Sequence, residues 1–440
     1  MAPLALACLD PDSFGDGLTT ALFHHFRTFT ITDFALIPDS TVFWDRHVLP
    51  LSNAIPAVRY ATTALGVAHQ AFLLRSLNPS NLQESQRLDF FTVQRYNQAI
   101  HQLLPHISSG KPIDIRIIIT CCLLFYCLEN IRGCSAESIQ HLKAGSRLLV
   151  SLPPHYATET TRYRTNNDDA ISEIATLFSR LGIEASLYSE DEVVPDLGSH
   201  RIPVPSFPED KLQPFQDLHI ARDFLWDIDV DLSTYNNKAF ALAKEGGSRL
   251  PEDGISHLLD IAGGYGRVAT VSRAPPTYGP SYESELRPII NRFRCWRKRF
   301  DRTVEEAEKR VMTKQERQEI MMLTLRQRVW ETMLEEVPDG DPMLADSILD
   351  QAELLIQTFS SNHPIFTLES NIMSSTSFVC CYSDEVRHRR RALKILRSAR
   401  IREGVWDSME LANLIEAGFP ELKLGDTVSI VKGAVNVSFN

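Results

Sequence analysis

From Ile117 to Leu128 the chain reads Ile-Ile-Ile-Thr-Cys-Cys-Leu-Leu-Phe-Tyr-Cys-Leu, apolar on every face of a helix. The run neither alternates nor forms a stripe, so the pattern predicts a helix enclosed on all sides. It is shorter than the ~20 apolar residues a bilayer span needs. Asp114 and Arg116 precede it, and Glu129 and Arg132 follow. Gly133 then separates it from a second helix that ends before Pro153-Pro154, giving a central helical hairpin within Ile113 to Val150.

Around this rod the periodicity is helical almost throughout. Leu22, Phe23, Phe26 and Phe29 form one face, with His24, His25 and Arg27 outside. Asp39-Ser40-Thr41 offers a cap for a helix carrying Phe43, Trp44, Val48 and Leu49. Ile55 to Leu77 is a long helix whose Gly66, a poor helix former, points to a close helix crossing. After the turn Asn78 to Asn81, Leu82 to Leu104 places Phe90, Val93, Tyr96, Ile100 and Leu104 at helical spacing. Further helices are predicted at Ile171 to Tyr188, Phe215 to Ile228, Pro288 to Phe300, Glu319 to Leu334, Pro342 to Phe359, Asp384 to Leu396 and Glu403 to Ile415. Irregular connectors fall at Asp191 to Pro214 and Gly246 to Tyr282, and Thr158 to Asn167 reads as a polar loop. Thr427 to Val431 and Val435 to Phe439, around Gly433, read as a small C-terminal hairpin. The expected class is all-α, a multi-helix domain over residues 1–440, loosely divided into 1–152 and 168–440.

Composition narrows the options. A net charge of -11 opposes a broad nucleic-acid face, which would have to be basic. The eight cysteines include no Cys-x-x-Cys pair, and four of them (Cys121, Cys122, Cys127, Cys134) lie on or beside the rod. Small buried thiols in a reducing compartment fit this better than disulfides or zinc ligands. The apolar start from Ala2 to Cys8 has no basic n-region and soon meets Asp10, which predicts an intracellular protein.

Candidate chemistry is sparse. Leu258 to Gly266 resembles a cofactor-binding glycine loop, and Glu283 or Glu285 lies near the distance of a ribose-binding acid. The segment after it is neither a good helix nor a buried strand, so a helix end followed by a loop is the better reading. His24-His25, His101 and His106 lack a His-Glu-x-x-His frame, and no Gly-x-Ser-x-Gly elbow occurs. His69 and His141 are candidates for pairing with an acid, but spacing does not select them. No catalytic, cofactor-binding or metal residue is assigned. The densest positive run, Arg387-His388-Arg389-Arg390-Arg391 with Lys394, Arg397, Arg400 and Arg402, would serve nuclear import or phosphate contact. The favoured reading is instead a helix burying Val386, Leu393 and Leu396 while its charges stay solvated or paired.

Several blocks together resemble the regulatory region of fungal binuclear-zinc-cluster transcription factors. They are Ala57-Val58-Arg59 with Ala64-Leu65-Gly66 and His69; Tyr96-Asn97 with Ala99-Ile100; and Leu123-Leu124-Phe125 with Glu129, His141-Leu142, Gly145 and Arg147-Leu148-Leu149. Phe215 to Leu218 with Ala221-Arg222, and Arg389 to Ala392 followed by Arg402 to Ser408, continue the likeness in the same order. Packing explains these positions: the glycines permit close approach, Trp406 anchors the last helix, and Arg59, Glu129, Arg147 and Glu403 suit buried or half-buried ion pairs. Two departures stand out. Family members usually open with six cysteines holding two zinc ions, whereas here the helical region follows closely on Met1. Tyr382-Ser383-Asp384 stands where relatives tend to show Cys-Arg-Asp.

The resemblance implies a nuclear transcriptional regulator or co-regulator without its own zinc-cluster DNA reader, serving a fungal metabolic or secondary-metabolite pathway and not an enzyme. Its partners would be proteins, either a DNA-bound transcription factor or the transcription machinery, with no sequence-specific nucleic acid or membrane contact, as a homo- or heterodimer. The alternatives are a SAM-dependent methyltransferase-like enzyme using the Gly263 to Gly266 loop, and an inactive truncated regulator.

Overall fold

A computed structural model describes residues 17–34, 43–77, 82–108, 114–152, 166–186, 194, 197–198, 200, 213–245, 280–334, 342–359, 364–368, 371–383, 385–419 and 422. The glycine loop at 258–266, the predicted cap at 39–41 and the C-terminal hairpin at 427–439 lie outside the described residues. The fold is all-α, with three strands of two or three residues among the described residues. The chain divides into two compact units. One comprises residues 1–181, 194–202 and 364–369, the other residues 182–193, 203–363 and 370–440.

The first unit begins with α1 (Gly17–His25), a π-helical turn (Phe26–Thr30) and α2 (Ile31–Phe34). A second π-helical turn (Trp44–Val48) leads to α3 (Leu49–Ala54). The long helices α4 (Pro56–Leu77) and α5 (Leu82–Ser108) pack along each other. The hairpin of α6 (Ile115–Arg132) and α7 (Ser135–Val150) lies against α4, followed by α8 (Asn166–Ser186) and, much later in the chain, β1 (Ile365–Thr367). In α6 every residue from Ile117 to Ile131 is buried. The Asp114 side chain caps its start by accepting from the Arg116 N–H at 3.2 Å. At its end Gly133 is left-handed (φ 81°), and the Cys134 N–H reaches back to the Glu129 carbonyl at 2.8 Å. This is how glycine stops a helix.

Two glycines set the helix spacing. A Cβ on Gly66 would lie 2.7 Å from the Leu22 carbonyl oxygen and 3.0 Å from the Phe26 Cβ. One on Gly145 would run into the Phe178 ring (2.6 Å from Cζ) and lie 3.1 Å from the Cys122 Cβ.

Two expected core faces are corrected. Phe29 is 51% exposed, while Thr30, Ile31 and Phe34 are buried and His25 is half-buried. The π turn inserts an extra residue, so the register advances past Phe29 and swings Thr30 inward. On α5 the buried face is Ser85, Leu88, Thr92, Ala99 and Leu103, whereas Phe90, Val93, Ile100 and Leu104 are exposed. The helix carries two apolar stripes, and the one with smaller residues fits against its close neighbour α4.

The second unit contains α9 (Leu218–Glu245), α10 (Pro280–Glu308), α11 (Lys314–Leu334), α12 (Pro342–Thr358), α13 (Ile372–Tyr382) and α14 (Val386–Ser398). β2 (Ile401–Glu403) and β3 (Trp406–Asp407) then pair antiparallel, and α15 (Ser408–Gly418) follows. The predicted helix from Glu403 thus begins five residues later, because Gly404 turns the chain in a left-handed conformation (φ 54°). Its core is a stack of Phe293, Trp296, Phe300 and Trp330. The indole N–H groups are satisfied: Trp296 donates to the Ala221 carbonyl at 2.7 Å, and Trp330 to Asp229 at 2.8 Å. Arg326 also pairs with Asp229, whose carboxyl is pushed up by burial against the pull of that arginine.

Gly66→Ala should lower stability by about 1–3 kcal/mol, because a backbone carbonyl cannot step aside. Urea unfolding measures it, with Gly17→Ala as a control, since a Cβ on Gly17 meets nothing within 4 Å.

Candidate functional site

The resemblance blocks converge on three polar clusters. The first sits where Gly66 draws α4 against the 17–34 helix. Three residues along α4, His69 is fully buried. The π turn brings Thr30 to its Nδ1 (3.2 Å), with His25 Nε2 on the same side at 3.3 Å, while Asp33 Oδ2 lies 3.1 Å from Nε2. His69 therefore has a polar neighbour at each of its ring nitrogens. Burial, reinforced by the neighbouring His69, pushes His25 down to about 4. Hydroxyl, imidazole and carboxylate stand in the order of a nucleophilic relay. Thr30 and His69 are fully buried, however, so no substrate reaches the hydroxyl.

The second cluster joins α5, α6 and α7. Tyr96 Oη lies 2.8 Å from His141 Nε2, and both rings pack on Phe125. Burial and the Glu129 carboxylate, to which Tyr96 hydrogen-bonds, push the phenol far up, while burial pushes His141 down. The sequence of donors is therefore His141 N–H to Tyr96 oxygen and Tyr96 O–H to Glu129. Buried Glu129 also pairs with Arg132 at 2.8 Å. Beneath them burial pushes the Cys121 and Cys127 thiols far up and Cys122 up to about 12. That favours the neutral thiol rather than the thiolate a metal needs.

The third cluster is the β2–β3 hairpin of the second unit. Glu403, fully buried, accepts the N–H groups of Asn371, Ile372 and Met373 at 3.0–3.1 Å and so caps α13. Asp407 caps α15 through the N–H groups of Met409 and Glu410 and pairs with Arg402 at 2.8 Å. Burial pushes its carboxyl up, but Arg402, Arg400 and the cap outweigh this and hold it below the usual range. Ser408 accepts from the Ile401 N–H and donates to the Ala399 carbonyl, and Trp406 is buried beside them. Of the expected ionic residues, Glu129 does pair. Arg147 is exposed, Arg59 donates to the Ser52 and Asn53 carbonyls at the end of α3, and Glu403 serves backbone N–H groups.

The basic run is largely engaged. Arg391 contacts Asp350 at 2.6 Å, Glu353 at 2.9 Å and Asp346 at 3.5 Å. Arg397 pairs with Glu416 at 2.7 Å, Arg387 with Glu385 and Asp346, and Arg389 lies over the Phe419 ring. Leu393 and Leu396 are buried beneath, as the paired-face reading expects, whereas Val386 is only half-buried. Sequence spacing did not reveal the Thr30, Asp33 and His25 partners of His69, because they depend on the π turn.

With unfolded His25 titrating near its ordinary value and folded His25 near 4, the unfolded chain binds the extra proton between them. Stability should therefore fall as pH drops from about 6.5 toward 4. Thermal scans across that interval test the sign, and His25→Asn should flatten the slope. Glu403→Ala, which strands three N–H groups, should cost about 2–4 kcal/mol in urea unfolding.

Among known proteins, the family model described as the fungal-specific transcription factor domain matches residues 21–192. An aspercryptin biosynthesis cluster-specific transcription regulator of Emericella nidulans is 31% identical over 94 residues, which is 21% of this chain and 15% of that relative. The matched part is thus a small fraction of the relative's length. No solved structure matches significantly. The first two clusters lie within the matched residues, and the Arg402 to Ser408 hairpin lies beyond them. Over residues 21–192 the chain is thus similar to the fungal-specific transcription factor domain.

Proposed function

We propose that this chain is a transcriptional regulator or co-regulator acting in a fungal nucleus through protein contacts, with DNA read by a partner. The family match over residues 21–192 carries this reading. The name of the Emericella nidulans relative supports a role in a metabolic or secondary-metabolite pathway. The electrostatics favour protein contact over DNA contact. Net charge is -11, and the densest arginine run is engaged by Asp346, Asp350, Glu353, Glu385 and Glu416. Phosphate binding requires free basic groups. The histidine clusters tie helices together through largely buried contacts, which supports a non-enzymatic role. Among the described residues no helix is long and apolar enough to cross a membrane.

The test pairs promoter occupancy of the tagged chain in cells with retention of the same promoter fragments by the purified chain, at about 0.15 M salt. Occupancy without retention is the expected result. Specific retention by the chain alone would overturn the mechanism, and absence from every promoter would overturn the regulatory role.

A further inference from the structure

The outward face of α5 carries Phe90, Val93, Asn97, Ile100, Leu104 and Ile107, separated by three, four, three, four and three residues. All six are exposed, Phe90 at 69%, Leu104 at 53% and Ile107 at 51%. This is a heptad seam, with Phe90, Asn97 and Leu104 at a and Val93, Ile100 and Ile107 at d. We infer that this seam pairs with the same seam of a second copy, as a parallel two-stranded coiled coil. The inference concerns unit 1 alone and does not rest on the regulatory reading.

Area supports self-pairing. The five apolar side chains expose roughly 450 Å², well within the ~300–600 Å² of the largest, often functional, patch of a typical monomer. Two copies remove about twice that from water, and with the polar rim they reach the ~1,200 Å² at which specific interfaces begin. The helix is already formed by its packing on α4, so pairing does not bear the nucleation cost that makes short isolated helices marginal.

Asn97 selects the partner and register. At an a position in a parallel, in-register pair it meets its own copy and the two amides hydrogen-bond. A parallel pair slipped by one heptad would set it against Phe90 or Leu104, and an antiparallel pair against Val93 or Ile100, leaving the amide unsatisfied. The flanks allow two identical chains to approach despite the net charge of -11. The e positions Gln94 and His101 are exposed and carry no negative charge, and Asp89 at g is paired with Arg75 at 2.9 Å. Like-charge repulsion is thereby kept out of the seam.

The orientation follows from what lies at g. Leu103 is buried and Tyr96 is tied to His141, so the g side of α5 faces into its own unit. A parallel pair sets each g flank beside the partner's e flank, which puts the two bodies on opposite sides of the seam. An antiparallel pair would crowd both bodies onto one side. Pro105 occupies a b position, away from the contact.

Sedimentation equilibrium of the full chain up to about 50 µM, a range that captures micromolar association, tests the pairing. A dimer is expected, and Phe90→Glu with Ile100→Glu should weaken it roughly 100-fold or more. Because both side chains are exposed, the double variant should retain the wild-type circular dichroism. Val93→Cys under mild oxidation should give a covalent dimer beyond any wild-type background, since parallel d positions face each other whereas an antiparallel seam sets Val93 against Leu104. A wild-type monomer throughout, whether because another segment of this chain or a different protein covers the face, would overturn the proposal. So would a dimer insensitive to the double variant, or a dimer in which Val93→Cys does not cross-link.

Discussion

A helix without a polar face must be enclosed, and the enclosure of Ile117 to Ile131 sets the arrangement of the first unit. Helix α6 is stopped by Gly133, so α7 folds straight back along it. Gly145 then lets α7 close against Phe178 and Cys122 with no intervening side chain. On another face lies α4, itself buried along most of its length, and Gly66 admits the 17–34 helix to contact with it. Removing apolar surface at these contacts supplies the driving force. The two glycines determine how closely the helices can share it.

Such close packing raises the cost of each polar group left inside, and several buried polar residues meet it by sharing partners across helices. His69 is flanked by Asp33, Thr30 and His25, and Tyr96 links His141 to Glu129. In the second unit Glu403 and Asp407 each cap a helix, so a seven-residue stretch, Arg402 to Ser408, holds α13 and α15. These residues look like a reactive inventory in the sequence. Their surroundings make them joints.

Much of the fold was legible because helical period, Gly66, Gly133 and Gly145 each have a local physical meaning. The order of helices follows the predicted one, with ends shifted by turns that periodicity does not encode. Three features were not legible. A π turn changes register without a sequence signature, so Phe29 was expected inside and His25 outside. Helix α5 has two apolar stripes, and only the shape of α4 decides that Ala99 and Thr92 go in while Phe90 and Val93 stay out. Glu403 was expected within a helix, but Gly404 and the caps of Asp407 and Ser408 divert the chain into a hairpin. The partners of His69 were hidden for the first of these reasons.

The proposed reading, in which the chain acts through its surfaces, draws on the family match, the engaged basic run and the buried polar clusters. The most direct test is to tether the full chain to a reporter promoter through an unrelated DNA-binding domain and measure transcription. The account predicts a several-fold change in either direction relative to the tether alone. An unchanged reporter, with the fusion shown to be expressed, nuclear and bound at the promoter, would contradict it.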